Sequence, residues 1–121
     1  MLIWNGSAFA QSKCQKVREG SFAIYDGGTL VTVVFRYDST QVELMGPIET
    51  TTKVTWTDDC NYRLSFVSAN DAYYEAFGTN TPRKDLLVHI TKVKRKGYKF
   101  EAVREGETYV LKGYFKEFNG I

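Results

Sequence analysis

Residues 52–66, TKVTWTDDCNYRLSF, decide the fold. Ahead of Asp58-Asp59, Val54 and Trp56 fall at alternate positions, and after it Tyr62, Leu64 and Phe66 do the same. Alternation at period two, broken by a polar turn, is the pattern of two antiparallel strands that each bury one face. The turn itself carries a cysteine, Cys60. The other cysteine, Cys14, lies 46 residues upstream, just ahead of another strand signal.

The same rhythm extends in both directions. Gly20 to Tyr25 puts Phe22 and Ile24 on one face, and Asp26-Gly27-Gly28 is a strong hairpin signal. Leu30 to Tyr37 places Val31, Val33, Phe35 and Tyr37 together, with Thr32 and Arg36 opposite. Asp38-Ser39 turns the chain into a short strand carrying Val42 and Leu44, which Gly46-Pro47 ends. Further on, Leu86 to Val93 is a strand, and Gly97 to Arg104 is another with Tyr98, Phe100 and Ala102 facing in. Glu105-Gly106 turns into the last, where Tyr109, Leu111, Gly113 and Phe115 alternate with Lys112 and Lys116.

About eight strands with short connections predict an all-β antiparallel meander. Closing such a sheet into a barrel removes its exposed edges; an open sandwich of the same strands is the nearest alternative. The bulky inward rows (Phe35, Trp56, Phe66, Phe100, Phe115) favour a filled or narrow interior. One stretch breaks the rhythm: residues 69–85, ANDAYYEAFGTNTPRKD, are too long for a hairpin. Asn70 or Asp71 caps a short helix near 70–78, with Gly78 as its stop, lying across one barrel mouth.

At 121 residues the chain makes one domain with a single modest core. A net charge of +2 gives no electrostatic case for a nucleic-acid partner. No apolar run approaches the roughly 18 residues that a transmembrane helix needs. The first thirteen residues, MLIWNGSAFAQSK, do not share the strand rhythm, so the expected organisation is a separate 1–13 and a single β-domain over 14–121. Ala8-Phe9-Ala10 before Gln11 has the small-x-small form of a signal-peptidase site. The segment therefore reads as the tail of a signal peptide that starts upstream, or as a disordered N-terminus with a chance match. Lys13 stands where a lipidated cysteine would need a small residue. In an oxidising compartment two cysteines tend to pair; otherwise they are buried, inert thiols.

Catalytic chemistry leaves little trace. His89 is the only histidine, and alternation puts it opposite Leu86, Val88 and Ile90, on a surface or rim, with no serine or cysteine motif nearby. Neighbours on a strand point to opposite faces, so Asp58-Asp59 is not a converging pair; Asp59 is expected to cap the turn. The run KVKRKGYK, residues 92–99, reads as a solvated, charged hairpin tip without the stacking aromatics of a single-strand binder. Two cysteines and one histidine, widely spaced, do not make a zinc site. Neither a phosphate loop nor a calcium loop is present, so no cofactor, no metal and no enzymatic activity are expected. Tyr73, Tyr74 and Phe77 line a ligand mouth or plug the barrel end.

The order Cys14, Gly20-Ser21-Phe22, then Lys53 to Leu64 with its Trp56, Asp59, Cys60 and Tyr62, then Gly97-Tyr98-Lys99-Phe100-Glu101 resembles a family of small exported proteins of the Bacteroidetes. The likeness spans roughly residues 14–118, and the W-x-x-D-C-x-Y core is its distinctive part. It implies a secreted or lipid-anchored barrel of calycin or lipocalin type, and no activity. Some members carry the label DNA topoisomerase IV, which nothing in this short chain supports. With the export-like N-terminus, the likeness implies a Cys14–Cys60 disulfide, which would constrain the unfolded chain by roughly 4 kcal/mol. The expected function is that of a non-enzymatic envelope protein, in the periplasm or at the cell surface. It would bind a small apolar or amphipathic ligand, or an envelope partner, near Tyr73, Tyr74 and Phe77. The alternative is a structural or protein-interaction module with a filled barrel, using its outer strands or the 92–99 hairpin.

Overall fold

The computed structural model describes residues 13–119. The Ala8–Ala10 cleavage reading lies outside the described residues. Eight strands follow one another: β1 (Gly20–Asp26), β2 (Thr29–Tyr37), β3 (Thr40–Met45), β4 (Ile48–Asp58), β5 (Asn61–Ala69), β6 (Leu86–Lys94), β7 (Gly97–Arg104) and β8 (Leu111–Glu117). Each pairs antiparallel with its sequence neighbour, and β8 returns to β1 to close the barrel. Between β5 and β6 lies a short helix, α1 (Asp71–Phe77). Asn70 is its N-cap and accepts the Tyr73 N–H on its side chain, while the Gly78 N–H closes the last turn on the Tyr74 carbonyl.

A meander puts successive hairpins at alternate ends. The turns after β2, β4 and β6 share one end, and those after β1, β3 and β7 share the other with α1 and the 78–85 loop. The segment 13–19 runs across the first end. A disulfide joins its Cys14 to Cys60 in the β4–β5 turn, with the Cα atoms 5.3 Å apart. Cys14 and Val17 are buried there, Arg18 pairs with Asp59 at 2.8 Å, and the Asp38 N–H donates to Glu19. This end is plugged.

Most of the inward rows follow the alternation: Phe22, Val54, Tyr62, Leu64, Val88, Ile90, Tyr98, Phe100, Ala102 and Phe115 are buried. Gly113 is a glycine because the Phe100 ring covers it, and Gly97 because a Cβ would run into the Phe115 carbonyl. Tyr109, expected on the last strand, precedes β8 and is exposed.

The β2–β3 hairpin departs from expectation. Its inward residues are Thr32, Val34, Arg36, Gln41 and Glu43, while Val31 and Tyr37 are exposed and Phe35, Val42 and Leu44 face outward, half-buried. Both alternations of VTVVFRY contain valines, and counting apolar residues picks the wrong one. The deciding groups lie across the barrel. Tyr62 and Tyr98 bring two hydroxyls into the interior, 2.9 Å apart, and buried hydroxyls require partners. Arg36 supplies them, and the ladder Arg36↔Gln41 turns β3 the same way. The interior is therefore less apolar than the sequence alone suggests.

Candidate functional site

At the plugged end Arg36 is 2% exposed, and each of its side-chain nitrogens has a hydrogen-bond partner. Its Nε donates to Gln41 Oε1 at 2.9 Å, Nη1 to the Val17 carbonyl at 2.8 Å, and Nη2 to the Tyr62 and Tyr98 hydroxyls at 3.1 and 2.7 Å. The guanidinium also lies over the Tyr62 and Phe22 rings, 4.7 and 5.4 Å from their centroids. Burial opposes its charge, but the Tyr62 and Tyr98 oxygens outweigh that effect and it stays a cation. Burial also pushes the Tyr62 hydroxyl well above its ordinary range, so Tyr62 stays neutral. No carboxylate pairs with Arg36 among the described residues. This cluster fills space and offers no room for a ligand.

The opposite end is built differently. The β5–β6 ladder runs only from Asn61↔His89 to Leu64↔Leu86, so Ser65–Ala69 has β4 alone as partner. Across that opening lie α1 and the 78–85 loop. Asn70 ties the helix start to the β3–β4 turn, donating to the Pro47 carbonyl at 2.8 Å and accepting the Glu49 N–H at 3.1 Å. Arg83 pins the rest: Nε donates to the Tyr73 hydroxyl, Nη1 to the Thr81 carbonyl and Nη2 to the Gly78 carbonyl. Its flat face rests 4.8 Å from the Phe66 ring centroid.

Beneath this lid is a cavity of about 330 Å³. One wall is polar, with Glu43, Thr50 and Thr52; the other is apolar, with Leu64, Phe66 and Leu86; Ile48, Tyr73 and Phe77 also line it, and Lys84 and Arg104 reach its rim. Glu43 is half-buried, and desolvation raises its pKa above the ordinary glutamate value, against the pull of Arg104 and Gln41.

The three aromatics read from the sequence separate here. Tyr73 and Phe77 line the cavity, their rings 5.0 Å apart, and Tyr73 also contacts Phe66 at 5.6 Å. Tyr74 is not part of the lining; its ring meets Tyr73 edge-on and lies under Arg83. Sequence reasoning missed Glu43, Lys84, Arg83 and Arg104. The signal for Glu43 was the parity of β3, misread with that of β2.

The other residues singled out stay apart. His89 is exposed on the outer face of β6, where Nδ1 lies 2.8 Å from Asn61 Oδ1. The turn is capped by Asp58, not Asp59: Asp58 accepts the Cys60 N–H and the Asn61 amide, which hold its carboxyl below the ordinary value. Asp59 instead grips Gln15 and Arg18 of the plug, because the turn points it toward segment 13–19. Lys92, Lys94, Arg95, Lys96 and Lys99 are exposed around the β6–β7 hairpin at the plugged end, with Tyr98 turned fully inward. Among the described residues no group of three His, Cys, Asp or Glu gathers to hold a metal, and no helix is long and apolar enough to cross a membrane. Comparisons with family models, with curated proteins and with solved structures return no match.

Proposed function

We propose that this barrel is a non-catalytic binding protein that takes a small amphipathic ligand into the cavity beneath α1. The observation that carries this reading is the cavity itself, about 330 Å³ with one polar and one apolar wall. That is at the lower end of the volumes, roughly 300–1,000 Å³, that hold small molecules. The Cys14–Cys60 disulfide supports an exported location, the periplasm or the cell surface, since such bonds persist in oxidising compartments. It also fits the resemblance to exported Bacteroidetes barrels of lipocalin type.

A thermal-shift screen with fatty acids, haem and glycans tests the reading. A ligand at about a hundred times its Kd adds about 2.7 kcal/mol of stability, which moves Tm by several degrees in a domain of this size. Hits that disappear in Phe77→Asp and Leu64→Asp support the cavity; an empty screen counts against it. The interaction-module reading draws on one observation: Tyr109, Val110, Leu111 and Tyr114 are exposed together around the start of β8.

A further inference from the structure

The charges around the cavity are sorted by strand parity. Asp85 and Glu105 flank Lys84 and Arg104 in the sequence, yet both acids point outward and hold Arg63, at 2.8 and 3.1 Å. Lys84 and Arg104 turn toward the cavity rim. No ion pair among the described residues includes either of them. Arg104 spends one N–H on the Lys84 carbonyl, at 3.2 Å, which holds its guanidinium against the Lys84 backbone. The third cation, Arg83, is consumed by the lid. Among the described residues Glu43 is the only acid lining the cavity, and it feels the pull of Arg104 without forming an ion pair with it. An anionic guest at the mouth meets two exposed cations that form no ion pair, and a cationic one meets repulsion.

We propose that the ligand is a single-chain amphiphile with an anionic head, carboxylate or phosphate, held at the rim by Arg104 and Lys84, with its chain along Leu64, Phe66 and Leu86. This rests on the cavity reading above and specifies the ligand's polarity. The exposed cations place the head at the mouth; Leu64, buried, marks where the chain ends. Charge complementarity of this kind governs which partners are rejected as much as how tightly the right one binds.

Four probes with one ten-carbon tail separate the possibilities: decyl phosphate, undecanoate, decanol and decyltrimethylammonium, titrated by calorimetry below their micelle concentrations into the full chain. The expected order is the two anions at least about tenfold tighter than decanol, a difference of about 1.4 kcal/mol, with the cation weakest. Phosphate against carboxylate identifies the head. In the double variant Lys84→Gln/Arg104→Gln the anions fall to within about twofold of decanol while decanol itself is unchanged. Glu43→Gln strengthens the anions, a response that a merely structural role for Glu43 would not give. Decanol or the cation binding as tightly as the anions overturns the assignment of polarity and leaves the cavity reading standing. Failure of all four probes overturns both. Anion preference that persists in the double variant overturns the roles of Lys84 and Arg104.

Discussion

The two ends of this barrel solve the same problem in opposite ways. At the plugged end the interior is closed by covalent and charged devices: a disulfide, a salt bridge from the plug to Asp59, and a buried guanidinium that reaches the plug's Val17 carbonyl. At the other end closure is a lid of half-buried and exposed residues, held by Asn70 and Arg83 over empty space. α1 has no fully buried residue. Elements with little buried area and few deep contacts open at low free-energy cost. The difference assigns stability to one end and exchange with solvent to the other.

The strongest way to break that contrast is to cut the disulfide. Replacing both Cys14 and Cys60 with serine is expected to cost about 4 kcal/mol in urea unfolding, from a loop of 46 residues. A loss below about 1 kcal/mol would mean that the plug is not a main source of stability. Next comes Arg36→Met, expected to cost about 2–4 kcal/mol. It strands Gln41 Oε1 and the Val17 carbonyl and leaves the Tyr62 and Tyr98 hydroxyls only each other, at about 1–3 kcal/mol for each buried group left unpaired, partly offset by no longer burying a charge.

Arg83→Ala sharpens the contrast instead. Amide exchange should rise by about tenfold or more across 71–85 while the urea midpoint moves little, because the lid opens locally. A collapse of global stability in this variant would show that the two ends are not independent. The smallest effect concerns pH. Glu43 takes up a proton more readily in the folded chain than in the unfolded one, so its burial carries no cost well below its ordinary pKa of 4.5. The cost grows as pH rises through the folded value. Glu43→Gln should therefore match the wild type in Tm near pH 3 and exceed it by a degree or two at pH 7. Equal melting temperatures at both would place Glu43 in water.

Much of the architecture was legible in alternation and turn chemistry. Val54 and Trp56, then Tyr62, Leu64 and Phe66, face inward as their spacing says, and Asn70 and Gly78 bound the helix as their side chains require. The β2–β3 hairpin was not legible, because both of its faces carry apolar residues and the choice depends on hydroxyls arriving from β5 and β7. Sequence shows which residues a strand offers; it does not show which polar groups wait on the far wall. The site suffered from the same gap. Tyr73 and Phe77 stand out as aromatics in the short helix that breaks the strand rhythm, whereas Glu43 and Arg104 become cavity residues only once the parity of two strands is known.

The meander has a consequence for how the chain assembles. Every ladder but one joins strands adjacent in sequence, so each hairpin can zip onto its predecessor with little loop to close. The exception is β8 on β1, where the register holds at only Phe22↔Glu117 and Ala23↔Lys116, across nearly the whole chain. Closing that seam is the largest single loop closure of the topology, for the least ladder. Cys60 follows Cys14 by four strands, so their bond can form when half of the wall exists and before the seam does. In pulse-labelled refolding the amides of β1 and β8 at this seam should gain protection last. The circle is drawn from its anchored side, and its join is the final stroke.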